Sequence, residues 1–244
     1  MLVGENMNLL MGWNPWSVFE YLMTGESITN TCWQFRHSYY QHENPLWLSE
    51  PFEKYTGQSI EKVFAPSSLC ATDYAFIRTL GNVDVYYLEE GEYDYVRYVE
   101  NDKHLHVPFY TMNPDAIANP DVFSEIRKLT CTQFVVDKFL QLYNVKLPAD
   151  NYDVILYTDP MELDFGMTGV KEQVEDYMLK HHSNDRILVK THPRDTTVWD
   201  WDICSPKIPA QLLLNRDVVH VFMYQTTVLH YINRNKETEM INII

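Results

Sequence analysis

The feature that most constrains this chain is a recurring unit: a short apolar run of strand length, a turn, and then a helical pattern. Strand-like runs occupy residues 7–11, 62–65, 83–88, 153–157, 186–190 and 218–223. Helical patterns over 17–23, 67–80 and 170–181 follow three of them. Apolar strands alternating with helices build βαβ units, and these assemble into parallel sheets covered on both faces. The expectation is therefore an α/β protein. In such sheets ligands collect outside the carboxyl ends of the strands, so the residues just past each strand are the ones to read for function. The first unit carries its own punctuation in Gly12-Trp13-Asn14-Pro15, where Asn14 suits an N-cap and Pro15 the first helical position.

The rest of the chain is less regular. Residues 24–58 are aromatic, interrupted by Pro45 and Pro51, and suggest no element. Asn113-Pro114 to Asn119-Pro120 reads as linker, and 121–143 has helical spacing through Val122, Ile126, Leu129, Phe134, Val135, Phe139 and Leu142. A short helix is expected over 206–214 and a last strand over 240–244. The predicted organisation is a Rossmann-like N-terminal lobe over 1–115, a helical linker over 116–150 and a second lobe over 151–244. There is no internal repeat and no heptad run.

Charge and composition exclude several classes. The 244 residues carry 34 acidic and 19 basic side chains, a formal net charge of -15. Such a chain lacks the basic footprint that a phosphate backbone or an anionic membrane surface requires. The acid is uneven: 16 acidic against 6 basic residues up to Pro120, then 18 against 13. The second half is thus better placed to receive an anion. Aromatic residues reach 14%, enough to stack planar or sugar-like ligands as well as to fill cores. Cys32, Cys70, Cys131 and Cys204 form no CxxC pair, so a zinc ribbon or redox dithiol is unsupported, and buried free thiols are expected. His104, His106 and the pair His181-His182 read as surface residues, leaving no metal signature. The opening Met1-Leu-Val-Gly-Glu-Asn lacks the basic and apolar regions of a signal peptide. No run approaches the ~18 apolar residues of a membrane span. A cytoplasmic protein is expected.

Three segments that follow predicted strands carry chemistry. Glu89-Glu90-Gly91 puts two carboxylates and a permissive glycine at a strand end, which suits a general base or a solvated acidic loop. Lys190-Thr191-His192-Pro193-Arg194 holds a histidine in the extended backbone that precedes proline, flanked by two cations suited to a phosphate. Gln225-Thr226-Thr227 offers hydroxyls at a predicted helix N-terminus, which suits either anion binding or simple capping.

Taken in order, Glu-Glu-Gly, His-Pro and Thr-Thr resemble the shared signatures of bacterial sialyltransferases of GT-B type. Within that group the chain is similar to glycosyltransferase family 52, the lipooligosaccharide sialyltransferases, and to bacterial polysialyltransferases that build capsule. Asn8 to Pro15, Lys62 to Gly91 and Tyr157-Thr158-Asp159-Pro160 follow the family's element order as well. The resemblance implies two small Rossmann-like lobes with parallel sheets and a cleft between them, an acceptor lobe first and a donor lobe last. It implies inverting transfer of sialic acid, or a related nonulosonic acid, from a CMP-activated donor to a galactoside of a surface glycan. No metal or other cofactor is implied, and a peripheral position at the inner membrane is compatible with it. Catalytic roles fall on His192 and on an acidic base, either Glu89 or Glu90, or Glu162 or Asp164 just after the Pro160 turn of the second lobe. Donor binding falls on Gly91, Pro160, Lys190, Pro193, Arg194, Thr226 and Thr227. Two other classes fit the residues: a nucleotide- or glycan-binding member without turnover, and a metal-assisted phosphoesterase using Glu89, Glu90 and His192.

Overall fold

The computed structural model describes residues 7–12, 15–29, 31–35, 60–67, 71–89, 105–161, 166–223 and 237–241. The chain divides into two compact units, Met1–Asn144 and Val145–Ile244. Each is an α/β unit built on one parallel sheet.

The first sheet has six strands: β1 (Met7–Gly12), β2 (Thr31–Phe35), β3 (Ile60–Pro66), β4 (Asp84–Leu88), β5 (Pro108–Thr111) and β6 (Glu125–Lys128), in the order β2-β1-β3-β4-β5-β6. Every pairing is parallel. Its inner strands end in unbroken buried runs, such as Leu9 to Gly12 and Val63 to Pro66, because both faces are covered. Helix α1 (Pro15–Met23) begins at its proline and buries all but Trp16. Helix α2 (Ala71–Thr79) stops before Gly81, whose φ of 85° suits a residue without a Cβ. Helix α3 (Gln133–Tyr143) starts from Thr132, whose hydroxyl accepts from the Val135 N–H at 3.3 Å. It buries Val135, Phe139 and Tyr143, and Phe139 meets Phe19 of α1 edge to face at 5.2 Å.

The second sheet has five strands: β7 (Val154–Thr158), β8 (Ile187–Thr191), β9 (Asp202–Cys204), β10 (Val219–Phe222) and β11 (Thr238–Met240), in the order β11-β10-β7-β8-β9, again all parallel. Helix α4 (Val170–His181) lays Val170, Val174 and Met178 on one face of this sheet, with Leu156, Val189, Val221 and Trp199. The opposite face packs Ile155, Tyr157, Leu188, Cys204 and Phe222 under Ile208, Leu213 and Leu214. The chain leaves β7 toward β8 and β9 on one side and later returns to β10 and β11 on the other. The order therefore reverses between β7 and β10, and that is where the strand ends open a crevice.

Several expectations need correction. The 116–150 segment is not a helical linker. It contains a second Asn-Pro-Asp turn, Pro120–Val122, after one at Pro114–Ala116; it then adds β6 to the first sheet and forms α3 within the first unit. The apolar spacing from Val122 to Leu129 is met by a strand because Glu125–Lys128 pairs with Pro108–Thr111. The region 24–58 contains β2. The helix expected over 206–214 is only a 3-10 turn, Ala210–Leu212. Cys32 and Cys204 are buried thiols, but Cys131 is exposed, and Cys70 and His104 lie outside the described residues. His106 and His181 are exposed, whereas His182 is buried. Its Nδ1 lies 2.8 Å from Asp185 and its Nε2 3.0 Å from Glu239, tying the end of α4 to β11.

Candidate functional site

In the second unit, the ends of β7, β8 and β10 are laced together. The His192 N–H donates to Thr158 O at 2.9 Å and the Met223 N–H to Tyr157 O at 3.2 Å. Past β8 the chain turns at once. His192 O accepts from the Asp195 N–H at 2.9 Å, with Pro193 in the second position of the turn, where its fixed φ is favourable. The Arg194 N–H donates to His192 Nδ1 at 3.1 Å. In the neutral ring the proton therefore sits on Nε2. Asp195 then locks the following loop: its carboxylate accepts from the Thr158 hydroxyl and, at 2.9 Å, from the Thr197 N–H.

This framework borders a half-open cavity of about 290 Å³ lined by Asp159, Pro160 and Met161 after β7, Arg194 to Thr197 and Trp199 after β8, Val170 and Lys171 of α4, and Met223 after β10. It lies at the reversal point of the sheet. The first turn of α4 faces it without a capping side chain, since the helix starts from Gly169 at φ 70°. Free N–H groups of a first turn favour an anion. The lining carries two cations and two carboxylates. Asp195 is committed to the loop, while Lys171 shares its charge with Glu175 at 3.3 Å. The cavity thus offers Arg194, a helix N-terminus, the Thr196 and Thr197 residues and an aromatic wall, a set suited to a phosphorylated or sugar-bearing ligand.

Of the expected donor residues, Pro160 and Arg194 line this cavity, and His192 and Pro193 stand in the turn that delivers Arg194. Lys190 is a correction. Side chains alternate along β8, so Lys190 shares the face of Leu188 and lies beside Tyr157 and Cys204, while the cavity belongs to the face of Val189. It is 5% exposed, and its ammonium donates to Thr191 O at 2.6 Å. Burial pushes its pKa down to about 8, against the pull of Cys204 and Asp159. That bond ties the ammonium to the backbone just before His192. Gly91, Glu90, Glu162, Asp164, Thr226 and Thr227 lie outside the described residues.

Glu89 is in the first unit, just past β4 and 2% exposed. Its carboxylate accepts from the Thr111 hydroxyl at 2.7 Å and the Met112 N–H at 3.0 Å, both at the end of the neighbouring strand β5. That fixes the carboxylate at the carboxyl edge of the sheet. Sequence reasoning missed Asp195, Trp199 and Lys171. Only Asp195 left a signal, as a turn-closing acid three residues after a His-Pro pair. Among the described residues no group of three or more His, Cys, Asp or Glu side chains gathers as a metal site would need, and no helix is long and apolar enough to cross a membrane.

No protein-family model matches this sequence, and no curated protein sequence matches it significantly. Among solved structures the chain is similar to E. coli heptosyltransferase WaaC with ADP, at 11% identity and a TM-score of 0.35, over 96% of this chain and 93% of that one. It is also similar to the same enzyme with ADP-2-deoxy-2-fluoro heptose, at 10% identity and a TM-score of 0.32, over 95% and 92% of the two chains.

Proposed function

We propose that this chain is an inverting glycosyltransferase of GT-B type acting on a bacterial surface glycan, with the nucleotide-activated sugar bound by the C-terminal unit and the acceptor served by the N-terminal unit. The observation that carries the reading is the cavity at the reversal point of the second sheet, lined by Arg194, Lys171 and the open first turn of α4 beside the His192 turn. The resemblance in the Glu-Glu-Gly, His-Pro and Thr-Thr segments supports reading the donor as a CMP-activated sialic or related nonulosonic acid and the acceptor as a galactoside.

The chemistry follows from charge. As the glycosidic bond to the nucleotide breaks, negative charge grows on the departing phosphate, and fixed donors aimed at that charge lower the barrier most. His192, its neutral ring protonated on Nε2, donates a hydrogen bond to a phosphate oxygen and so stabilises the charge that grows there. Arg194 and the first turn of α4 add fixed positive potential. The acceptor hydroxyl loses its proton to a carboxylate at a strand end. The candidates are Glu89, held by Thr111 and Met112, with Glu90, Glu162 and Asp164. Single amide variants separate them: the base's variant loses transfer and keeps CMP binding.

Incubation with CMP-sialic acid and a panel of galactosides, followed by mass spectrometry, tests the reading. A sialylated product that His192→Ala abolishes supports it. Absence of product across the panel, together with no binding of any cytidine nucleotide, refutes it.

A further inference from the structure

The peptide group that joins Thr191 to His192 is held at both of its polar ends. Its N–H, that of His192, donates to Thr158 O of β7 at 2.9 Å. On the other side of β8 the neighbouring strand has run out: β9 ends at Cys204, opposite Lys190 and one residue short of Thr191. The Lys190 ammonium supplies the donor there, to Thr191 O at 2.6 Å. Past this peptide, His192 O accepts from the Asp195 N–H at 2.9 Å and His192 Nδ1 from the Arg194 N–H at 3.1 Å. Backbone N–H groups thus set the turn, except at the Thr191 carbonyl, where the donor is a charge. That charge is buried, and no carboxylate among the described residues forms an ion pair with it. Burying an ammonium without an ionic partner is costly, and the hydrogen bond it makes goes to the peptide before His192. A charge-assisted bond is stronger than a neutral one, so it holds that peptide more firmly than a ladder N–H would.

We infer that Lys190 is a positioning residue: through the Thr191 carbonyl it fixes the peptide from which the His192 ring projects, and so aims the ring's Nε2–H at the donor phosphate. For the ligand this rests on the glycosyltransferase reading above; for the geometry it rests on the hydrogen bonds. Lys190 itself lies on the sheet face away from the cavity and touches no ligand.

A double-mutant cycle tests it. CMP is titrated by calorimetry at pH 7 into the parent, Lys190→Met, His192→Gln and the double variant. Acting through His192, Lys190→Met is expected to weaken CMP about fivefold in the parent and less than about twofold once His192 is Gln. Burial of the charge opposes folding, so Lys190→Met is expected to be no less stable than the parent at pH 7, and its weaker binding is not lost fold. A second readout needs no ligand. Around the lysine stand Tyr157 of β7 and Asp159 just past it, Cys204 of β9, and Arg216 and His220 at the start of β10. Burial pushes Lys190 down to about 8 and Tyr157 and Cys204 up, so the lysine discharges ahead of both as pH rises. The ¹⁵N signals of the His192 ring, assigned by their absence from His192→Gln, are followed from pH 7 to 9.5. They are expected to shift with a midpoint at about pH 8 in the parent, and in Lys190→Met to be displaced and to lack that step. Non-additive binding with displaced ring signals upholds the inference. Equal factors in both backgrounds, or ring signals identical in Lys190→Met and the parent, overturn it and leave the glycosyltransferase reading standing. Absence of CMP binding by the parent overturns the cytidine donor, and the ring signals then decide the inference. If Lys190→Met does not fold, the parent decides: a step at about pH 8 upholds the inference, and ring signals that stay still overturn it.

Discussion

Replacing Lys190 with methionine is expected to stabilise the protein at neutral pH, an unusual outcome for a core substitution. The ammonium is fully enclosed between Tyr157, Cys204 and the end of β8, and burial lowers its pKa from an ordinary 10.5 to about 8. That difference corresponds to about 3 kcal/mol between the two protonation states, carried by the fold as a penalty wherever the lysine is charged. Methionine fills a similar volume and loses one hydrogen bond, from Nζ to Thr191 O, worth about 1 kcal/mol. The net gain at pH 7 is about 2 kcal/mol. The sign with pH follows from proton counting. Below pH 8 both folded and unfolded lysine are charged and the penalty is complete. Between about pH 8 and 10.5 the unfolded chain binds more protons, so the parent gains stability as pH rises. The variant has no such gain. Urea unfolding of both proteins, followed by tryptophan fluorescence at pH 7, 9 and 10, therefore yields a gap that narrows with pH, and groups titrating in both proteins cancel in the difference. A variant less stable than the parent at pH 7, or a gap unchanged from pH 7 to 10, would refute this reading.

Other outcomes follow from the same structure. Burial opposes charge on His182, but the hydrogen bonds its ring donates to Glu239 and Asp185 outweigh it and raise its pKa. For Glu239, burial is likewise outweighed, by His182 and Tyr177, and its pKa falls. The tether from α4 to β11 is thus complete between the ordinary glutamate and histidine values and fades as pH rises through that of folded His182. His182→Gln should lower unfolding stability by about 1–2 kcal/mol at pH 6 and by less at pH 8.5, read by denaturant titration. Asp195→Ala frees the loop that Thr158 and Thr197 anchor; it should cost about 1–3 kcal/mol and weaken CMP binding, measured by unfolding and by calorimetry. Thr132→Ala removes the N-cap of α3 and should cost about 1 kcal/mol without changing nucleotide affinity.

The inner strands were legible because their chemistry is local. Val154 to Thr158 and Ile187 to Thr191 are buried at every position, so a continuous apolar run was enough to find them. Helix α4 was legible from Val170, Val174 and Met178. Strand β6, Glu-Ile-Arg-Lys, lies at a sheet edge and is polar; its identity comes from pairing with β5, which no local pattern records. The same is true of Asp202–Cys204 and Thr238–Met240. At the site, the His-Pro turn and Arg194 could be read from the sequence because a proline fixes the backbone around them. Lys190 was misplaced because its charge drew attention before its position in the two-residue alternation did. His182 was read as surface because its partner Glu239 stands 57 residues further along the chain. That the buried Trp199 indole N–H has no hydrogen-bond partner among the described residues leaves no trace in sequence, since it is defined by what surrounds the ring.

The measurement that bears most directly on the central claim is calorimetric titration of the protein with CMP. Saturable binding at one site per chain is expected, weakened at least tenfold by Arg194→Ala, which removes the charge-assisted contact to the phosphate. Absence of binding by the parent, or binding that Arg194→Ala leaves unchanged, would contradict a nucleotide site at the reversal point of the second sheet.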